Sequence, residues 1–177
     1  MIYMQIRKAS ENDITGIAHV QIKSWQSTYK GILPDTYLNS MNLETRKKNW
    51  TRNLKMLHSA TYIAENDEGH IVGFAAGGPE QTNTLHYFQG EVYAIYLLQE
   101  YQRQGIGKKL IKAVVEELIR KQHGNLIIWA LKDNPSRGFY KALGGHLITE
   151  KTIKMAGIEI TEVGYGWEDI HDILLKL

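Results

Sequence analysis

The stretch "YQRQGIGKKLI", residues 101–111, carries two glycines, Gly105 and Gly107, between an apolar run and a helical pattern. A helix that begins near Gly105 leaves its first N–H groups without partners inside the helix. Those groups and the helix dipole attract an anion, and glycine allows the backbone to approach a ligand closely. Arg103 and Lys108 add positive charge. The stretch therefore predicts a strand-to-helix turn that holds a phosphate group.

Two common nucleotide-binding motifs do not fit this turn. The P-loop needs Gly-x-x-x-x-Gly-Lys-Ser/Thr, and "QRQGIGKK" lacks both that spacing and the hydroxyl. The dinucleotide fingerprint Gly-x-Gly-x-x-Gly fails because Leu110 stands at its third glycine. A glycine pair alone is equally consistent with a tight turn that binds nothing.

The composition limits the class of protein. A chain of 177 residues with 43% apolar residues fits one domain, which we expect to span residues 1–177. A net charge of +2 does not favour nucleic acid as a partner. The absence of cysteine excludes a thiolate nucleophile and cysteine-type zinc sites, and we expect no metal. We find neither a signal-peptide pattern nor an apolar run of about 20 residues, so we expect a cytoplasmic protein without a membrane partner.

Hydrophobic periodicity predicts a mixed α/β domain with the order β-α-α-β-β-β-α-β-α-β-β. The predicted strands are residues 2–8, 60–67, 70–78, 91–98, 125–131, 146–155 and 158–167. The predicted helices are residues 14–25 and 43–57, one that begins near Gly105, and a short one between Pro135 and Gly144. The last two strands form a hairpin around Ala156 and Gly157.

The segment "QRQGIG" fits Gln/Arg-x-x-Gly-x-Gly/Ala, and the chain resembles the GNAT superfamily of N-acetyltransferases over nearly its whole length. The segment Asn134 to Gly144, with Phe139 and Tyr140, lies where that family places a similar one. The resemblance implies the GNAT acyl-CoA N-acyltransferase fold, a mixed, mostly antiparallel sheet flanked by helices. It also implies acetyl-CoA as cofactor and coenzyme A as product.

The resemblance further implies a set of cofactor-binding residues. Main-chain groups of the strand before the motif would bind the pantetheine arm, and the amides of the turn would hold the pyrophosphate. The set is Ile95, Tyr96, Leu97, Gln102, Arg103, Gln104, Gly105, Ile106, Gly107, Lys108, Asn134, Phe139 and Tyr140. Lys108 is also consistent with a solvated helix start, Asn134 with a helix cap, and Phe139 with core packing.

The predicted catalytic residues are Tyr140 and Glu91. By resemblance, Tyr140 lies beside the cofactor sulfur and donates a proton or hydrogen bond to the departing thiolate; simple aromatic packing is the alternative. An alkylamine has a pKa of ~10, so a base must take its proton before it attacks the thioester. Glu91, eleven residues before Gln102, resembles the base of the histone-acetylating branch, and an exposed strand-end glutamate is the alternative. His86, Tyr93 and Glu65 are weaker candidates. An amide near Ile95 or Tyr96 would stabilise the oxyanion.

The acceptor site is predicted from the first helix, where Trp25 and Tyr29 lie four residues apart on one face. Both are consistent with a pocket wall or with core, and His86 is the third predicted substrate residue. Residues 79–89 and the hairpin that ends at Tyr165 and Trp167 would close the other side. The segment from Ser24 to Leu38, which includes Trp25 and Tyr29, resembles bacterial polyamine-type acetyltransferases.

We therefore expect a small-molecule amine as acceptor, direct transfer in a ternary complex, and a homodimer through the C-terminal strands. An acetyltransferase of a peptide N-terminus or protein lysine, and a non-catalytic acyl-CoA sensor, remain the alternatives.

Overall fold

A computed structural model describes residues 3–82 and 85–177. The strands are β1 (Met4–Lys8), β2 (Ala60–Asn66), β3 (Ile71–Pro79), β4 (Gly90–Leu97), β5 (Leu126–Leu131), β6 (His146–Met155) and β7 (Ile158–Trp167). The helices are α1 (Ile14–Thr28), α2 (Asp35–Asn39), α3 (Leu43–Leu54), α4 (Ile106–Arg120), α5 (Arg137–Ala142) and α6 (His171–Leu174). Short 3-10 helices span Glu11–Asp13 and Gln99–Tyr101. The order of the predicted elements is confirmed, and Ile2 of the predicted first strand lies outside the described residues.

The seven strands form one sheet in the order β1-β2-β3-β4-β5-β7-β6. Every neighbouring pair is antiparallel except β4 and β5. These two strands pair only over Gly90–Val92 with Leu126–Ile128, although both continue beyond that point. The sheet therefore opens into a gap between the second half of β4 and the second half of β5.

A β-bulge lies where the gap begins. The pairing of β3 with β4 runs from Ala76 opposite Ala94 to Gly77 opposite Val92, so Tyr93 is the extra residue. A bulge bends its strand and redirects side chains. Gly77 is required here, because a Cβ atom would lie 2.7 Å from the Glu91 carbonyl oxygen.

The two faces of the sheet carry separate cores. Helix α4 covers one face with a stripe of buried residues, which confirms the predicted helical face: Ile106, Leu110, Ile111, Val114, Val115 and Leu118. Helices α1 and α3 cover the other face. Burial of each aliphatic side chain contributes about 1.5–3 kcal/mol, so these stripes fix the helices against the sheet and position the gap between them.

Some sequence predictions differ from the structure. The second predicted helix ends at Leu54 rather than residue 57, and the short helices α2 and α6 were not predicted. Tyr165 and Trp167, the end residues of the predicted hairpin, do not wall the acceptor side themselves, because both are fully or almost fully buried in the core. The Trp167 indole N–H donates to the Leu143 carbonyl oxygen at 2.9 Å, which ties β7 to the end of α5.

The C-terminal hairpin confirms its predicted turn. Ala156 and Gly157 both have positive φ, 55° and 76°, as a two-residue hairpin turn of the favoured twist requires. Within the described part of the chain, we find no helix long and apolar enough to cross a membrane.

Candidate active site

The gap between β4 and β5 contains a cavity of about 680 Å³. All predicted cofactor-binding residues line it except Gln104, which is exposed, and Ile106, which is buried in the core. A second cavity of about 290 Å³ adjoins the first. The residues common to both linings are Tyr29, Val92, Tyr93, Tyr96, Trp129 and Ala130. The arrangement is that of two binding sites with a shared wall.

The glycine turn at one end of the larger cavity has the backbone of an anion-binding site. Arg103 and Gly105 adopt positive φ, 64° and 78°, and Gly105 is the N-cap of α4. The amides of Arg103, Gln104 and Gly105 donate no hydrogen bond to any residue within 3–82 or 85–177. Unpaired amides at a helix start favour an anionic ligand.

The polar side chains of the turn are partly engaged with the protein. The Lys108 ammonium donates to the Lys176 carbonyl oxygen at 3.0 Å, and the Gln102 side chain donates to the Leu97 carbonyl oxygen at 3.3 Å. Both residues still line the cavity. An anion at this turn would therefore be bound mainly by main-chain groups, with the Lys108 and Gln102 side chains beside it.

Strand β4 supplies the opposite wall. Beyond Val92 its edge facing β5 has no strand partner, because the β4–β5 ladder ends there. Its other edge remains paired with β3 as far as Leu97. Ile95, Tyr96 and Leu97 therefore present a strand edge to the cavity that an extended ligand can use.

Tyr140, on α5, is the buried phenol of the larger cavity, with an exposed fraction of 6%. Its ring centroid lies 5.6 Å from that of Phe139 and 5.9 Å from that of Tyr165. Its hydroxyl has no hydrogen-bond partner among the described residues. Burial raises the pKa of the Tyr140 hydroxyl, and the nearby Tyr96 adds to this. The phenol is therefore protonated at neutral pH and is able to donate into the cavity.

Glu91 lines the smaller cavity and is 7% exposed, so the alternative of an exposed strand-end glutamate is wrong. The amide N–H of Gln81 donates to Glu91 Oε2 at 3.0 Å. Burial raises the pKa of the Glu91 carboxyl to about 7, which the Gln81 hydrogen bond opposes and the neighbouring Glu80 reinforces. A carboxyl that titrates near neutrality is suited to general base catalysis.

The other base candidates are exposed, ion-paired or hydrogen-bonded to the main chain. His86 is exposed and lines neither cavity. Glu65 is paired with Arg7 at 2.6 Å on β2. Tyr93 lines both cavities, but its hydroxyl donates to the Pro79 carbonyl oxygen and burial raises its pKa.

Trp25 and Tyr29 both line the smaller cavity, with ring centroids 5.0 Å apart in an edge-to-face contact. The Tyr29 hydroxyl lies 3.5 Å from the Tyr96 hydroxyl. The lining residues that sequence reasoning did not name include Trp129, Lys151 and Glu162, of which the last two lie on the predicted hairpin. The hairpin turn already predicts that Lys151 and Glu162 face each other across strands, but not that they face a cavity.

The model of the acetyltransferase (GNAT) family matches residues 21–144, and the chain belongs to this family. The uncharacterised N-acetyltransferase YuaI of Bacillus subtilis is 38% identical over 166 residues, which cover 93% of each chain. The fold is that of the PaiA N-acetyltransferase of Thermoplasma acidophilum in complex with coenzyme A: TM-score 0.70, 22% identity, 90% of this chain and 98% of the other. YncA of Salmonella typhimurium with its cofactor acetyl-CoA gives a TM-score of 0.71 at 17% identity and covers 93% of each chain.

The family and the fold agree with the site. The predicted GNAT fold is confirmed, and so is the N-acetyltransferase class with acetyl-CoA as donor.

Proposed function

We propose that the protein transfers the acetyl group of acetyl-CoA to the primary amine of a small molecule by direct attack in a ternary complex. One observation carries this proposal. A buried carboxyl with a pKa of about 7, Glu91, and a buried protonated phenol, Tyr140, line two adjoining cavities with a common wall. The attacking amine needs the first group and the departing thiolate needs the second.

The larger cavity holds the donor. The free amides of the glycine turn bind the pyrophosphate of the coenzyme. The edge of β4 at residues 95–97, which pairs with no described strand, binds the pantetheine arm. Asn134 Oδ1 accepts from the Ser136 amide at 2.8 Å, so this oxygen serves as a local cap. Its side-chain NH₂ group has no partner among the described residues and remains available to the cofactor.

Glu91 takes the proton of the acceptor ammonium, directly or through water. Transfer from an alkylammonium with a pKa of ~10 to a carboxyl with a pKa of about 7 costs about 4 kcal/mol. The same transfer to a glutamate with its ordinary pKa would cost about 3 kcal/mol more. Burial of Glu91 therefore lowers the cost of making the amine neutral.

The neutral amine then attacks the thioester carbon and the C–N bond forms. As the intermediate collapses the C–S bond breaks, and the extra proton on the nitrogen passes to water while the thiolate leaves. An amide of β4 near Ile95 or Tyr96 stabilises the oxyanion. Because burial raises the pKa of Tyr140 above that of a thiol, complete proton transfer to the thiolate is uphill. Tyr140 therefore acts by a hydrogen bond to the developing thiolate, which is protonated on release.

The acceptor cavity favours a small molecule over a folded protein. Its volume of about 290 Å³ lies near the lower end of the usual range for small-ligand sites. A peptide N-terminus would use the same chemistry with the peptide outside the cavity. The non-catalytic sensor is the less favoured alternative, since it has no use for a carboxyl with the pKa of Glu91.

Thiol release from acetyl-CoA in the presence of a panel of small amines and short peptides tests the proposal, with product masses as a second readout. We expect release with at least one small amine and a mass increase on that amine. Tight acetyl-CoA binding without release for any acceptor would support the sensor instead.

We also propose a homodimer through the C-terminal strands. Strand β6 is an edge of the sheet, and Leu147 and Ile148 on it are 51% and 40% exposed. Light scattering of the purified protein tests this proposal, and a monomer mass at micromolar concentration would contradict it.

A further inference from the structure

One of the protein's own lysines enters the acceptor cavity. The Lys151 ammonium lies 3.9 Å from the ring centroid of Trp129 and 3.4 Å from Glu162 Oε2, and all three residues line the cavity. A carboxylate combined with the face of an aromatic ring is a favourable environment for an alkylammonium group. The cavity therefore contains a cation subsite whose present occupant belongs to the chain itself.

This pair differs from an ordinary surface ion pair that joins the residue after β5 to β6. Lys132 and Glu150 lie 3.1 Å apart with side chains 48% and 41% exposed, and they line neither cavity. The side chains of Lys151 and Glu162 are 29% and 20% exposed. Partial burial strengthens the interaction of Glu162 with any cation in the cavity.

The host groups are fixed, whereas the occupant can leave. Trp129 and Glu162 lie on β5 and β7, which are interior strands of the sheet. Lys151 lies on the edge strand β6, and within the described residues its ammonium contacts only these two groups. A lysine side chain carries its ammonium on a flexible four-carbon chain and is able to extend into solvent from an edge strand.

We propose that Glu162 and the face of Trp129 bind a second ammonium group of the acceptor, and that Lys151 occupies this subsite as an internal competitor when no acceptor is present. The acceptor class is thus a small amine with a second cationic centre, such as an α,ω-diamine. One amine loses its proton to Glu91, and the other stays charged against Glu162. This inference rests on the proposed acetyl transfer for its first amine.

The two charged residues should respond to substitution in opposite directions. Glu162→Gln removes the host charge and should weaken the binding of a diamine ~10-fold or more, with less than threefold effect on the monoamine of equal length. Lys151→Met removes the competitor and should tighten diamine binding ~3- to 10-fold. Lys151→Arg keeps a competing cation and should behave like the wild type, and Glu150→Gln is the matched control.

Calorimetric titration of putrescine and n-butylamine into the protein saturated with coenzyme A decides the inference without turnover. We expect putrescine to bind at least ~10-fold more tightly than butylamine to the wild type, and the difference to shrink in Glu162→Gln and grow in Lys151→Met. Equal affinity of the two amines, or equal weakening of both by Lys151→Met, would overturn the subsite.

A parallel thiol-release assay with both amines tests the proposed function separately. Thiol release with both amines at equal efficiency would support the proposed acetyl transfer and contradict the diamine subsite. Tighter binding of putrescine than of butylamine without any thiol release would support the subsite and contradict the proposed acetyl transfer.

Discussion

Replacement of Glu91 by glutamine should change activity and stability in opposite directions. The carboxyl has a pKa of about 7 in the folded protein, raised from its ordinary value of 4.5 mainly by burial. Between these two values the folded state binds more protons than the unfolded state, so stability falls as pH rises through this window. Above pH ~7 the buried charge destabilises the fold by about 3 kcal/mol.

Glu91→Gln keeps the shape and an oxygen for the Gln81 amide but cannot ionise. At pH ~8 we therefore expect the variant to be more stable by up to about 3 kcal/mol, which corresponds to a Tm increase of roughly 6–12 °C for a chain of this size. At pH ~4, where the carboxyl is protonated in both states, the difference should vanish. Calorimetric melting curves of the wild type and of Glu91→Gln between pH ~4 and pH ~8 measure this difference in stability.

The same substitution should lower kcat/KM by ~10²-fold, because the amine loses its proton acceptor. In the wild type, kcat/KM should fall tenfold per pH unit below about 7, the pKa of Glu91. In Glu91→Gln the break near pH 7 should be absent, and kcat/KM should instead follow the neutral fraction of the amine up to its pKa of ~10. A Tm difference independent of pH would refute the burial argument, and a break retained near pH 7 in the variant would assign the base to another group.

Three further substitutions test the donor site. Tyr140→Phe should lower kcat by ~10- to 100-fold with KM for acetyl-CoA unchanged, and a loss under threefold in steady-state kinetics would leave Tyr140 as a packing residue. Gly107→Trp should weaken coenzyme A binding by ~100-fold or more, since a Cβ atom there already contacts Leu97 and Phe139 at 3.6 Å and the ring must enter the cavity. Unchanged affinity by calorimetry would remove the pyrophosphate assignment. Gly105→Ala should cost ~1 kcal/mol of stability at φ 78°, and chemical denaturation measures it.

Local signals in the sequence predicted the elements that depend on local physics. The turn before α4 needs glycine at Gly105, and the hairpin turn needs residues that accept positive φ at positions 156 and 157. Gly105 and Gly157 make these requirements visible in the sequence, whereas Ala156, at φ 55°, is not a residue type that favours positive φ. The helical stripe of α4 is visible for the same reason, because its period is that of the helix.

The features that depend on distant contacts were not predictable in the same way. The burial of Glu91 requires the segment at Gln81 to fold back onto the start of β4, ten residues along the chain. Tyr165 and Trp167 are buried because β7 pairs with β5 inside the sheet, whereas a hairpin at an edge would leave them accessible. Helices α2 and α6 have only five and four residues, too few for a periodic pattern.

In the proposed mechanism one strand serves both substrates, and the end of the β4–β5 ladder accounts for this. Glu91 and Val92 lie in the part of β4 that pairs with β5, and the Gln81 amide covers the Glu91 carboxyl, which is 7% exposed. Tyr93 is the bulged residue, and beyond it the strand edge is free for the pantetheine arm. The raised pKa of Glu91 depends on the part of β4 that pairs with β5, and the cofactor depends on the part that does not. The residue at which the two strands separate therefore sets the distance between the proposed base and the thioester. A substitution that moved the bulge would therefore impair proton transfer and coenzyme binding together. In contrast, a change at Glu91 should impair only proton transfer, and a change at Gly107 should impair only coenzyme binding.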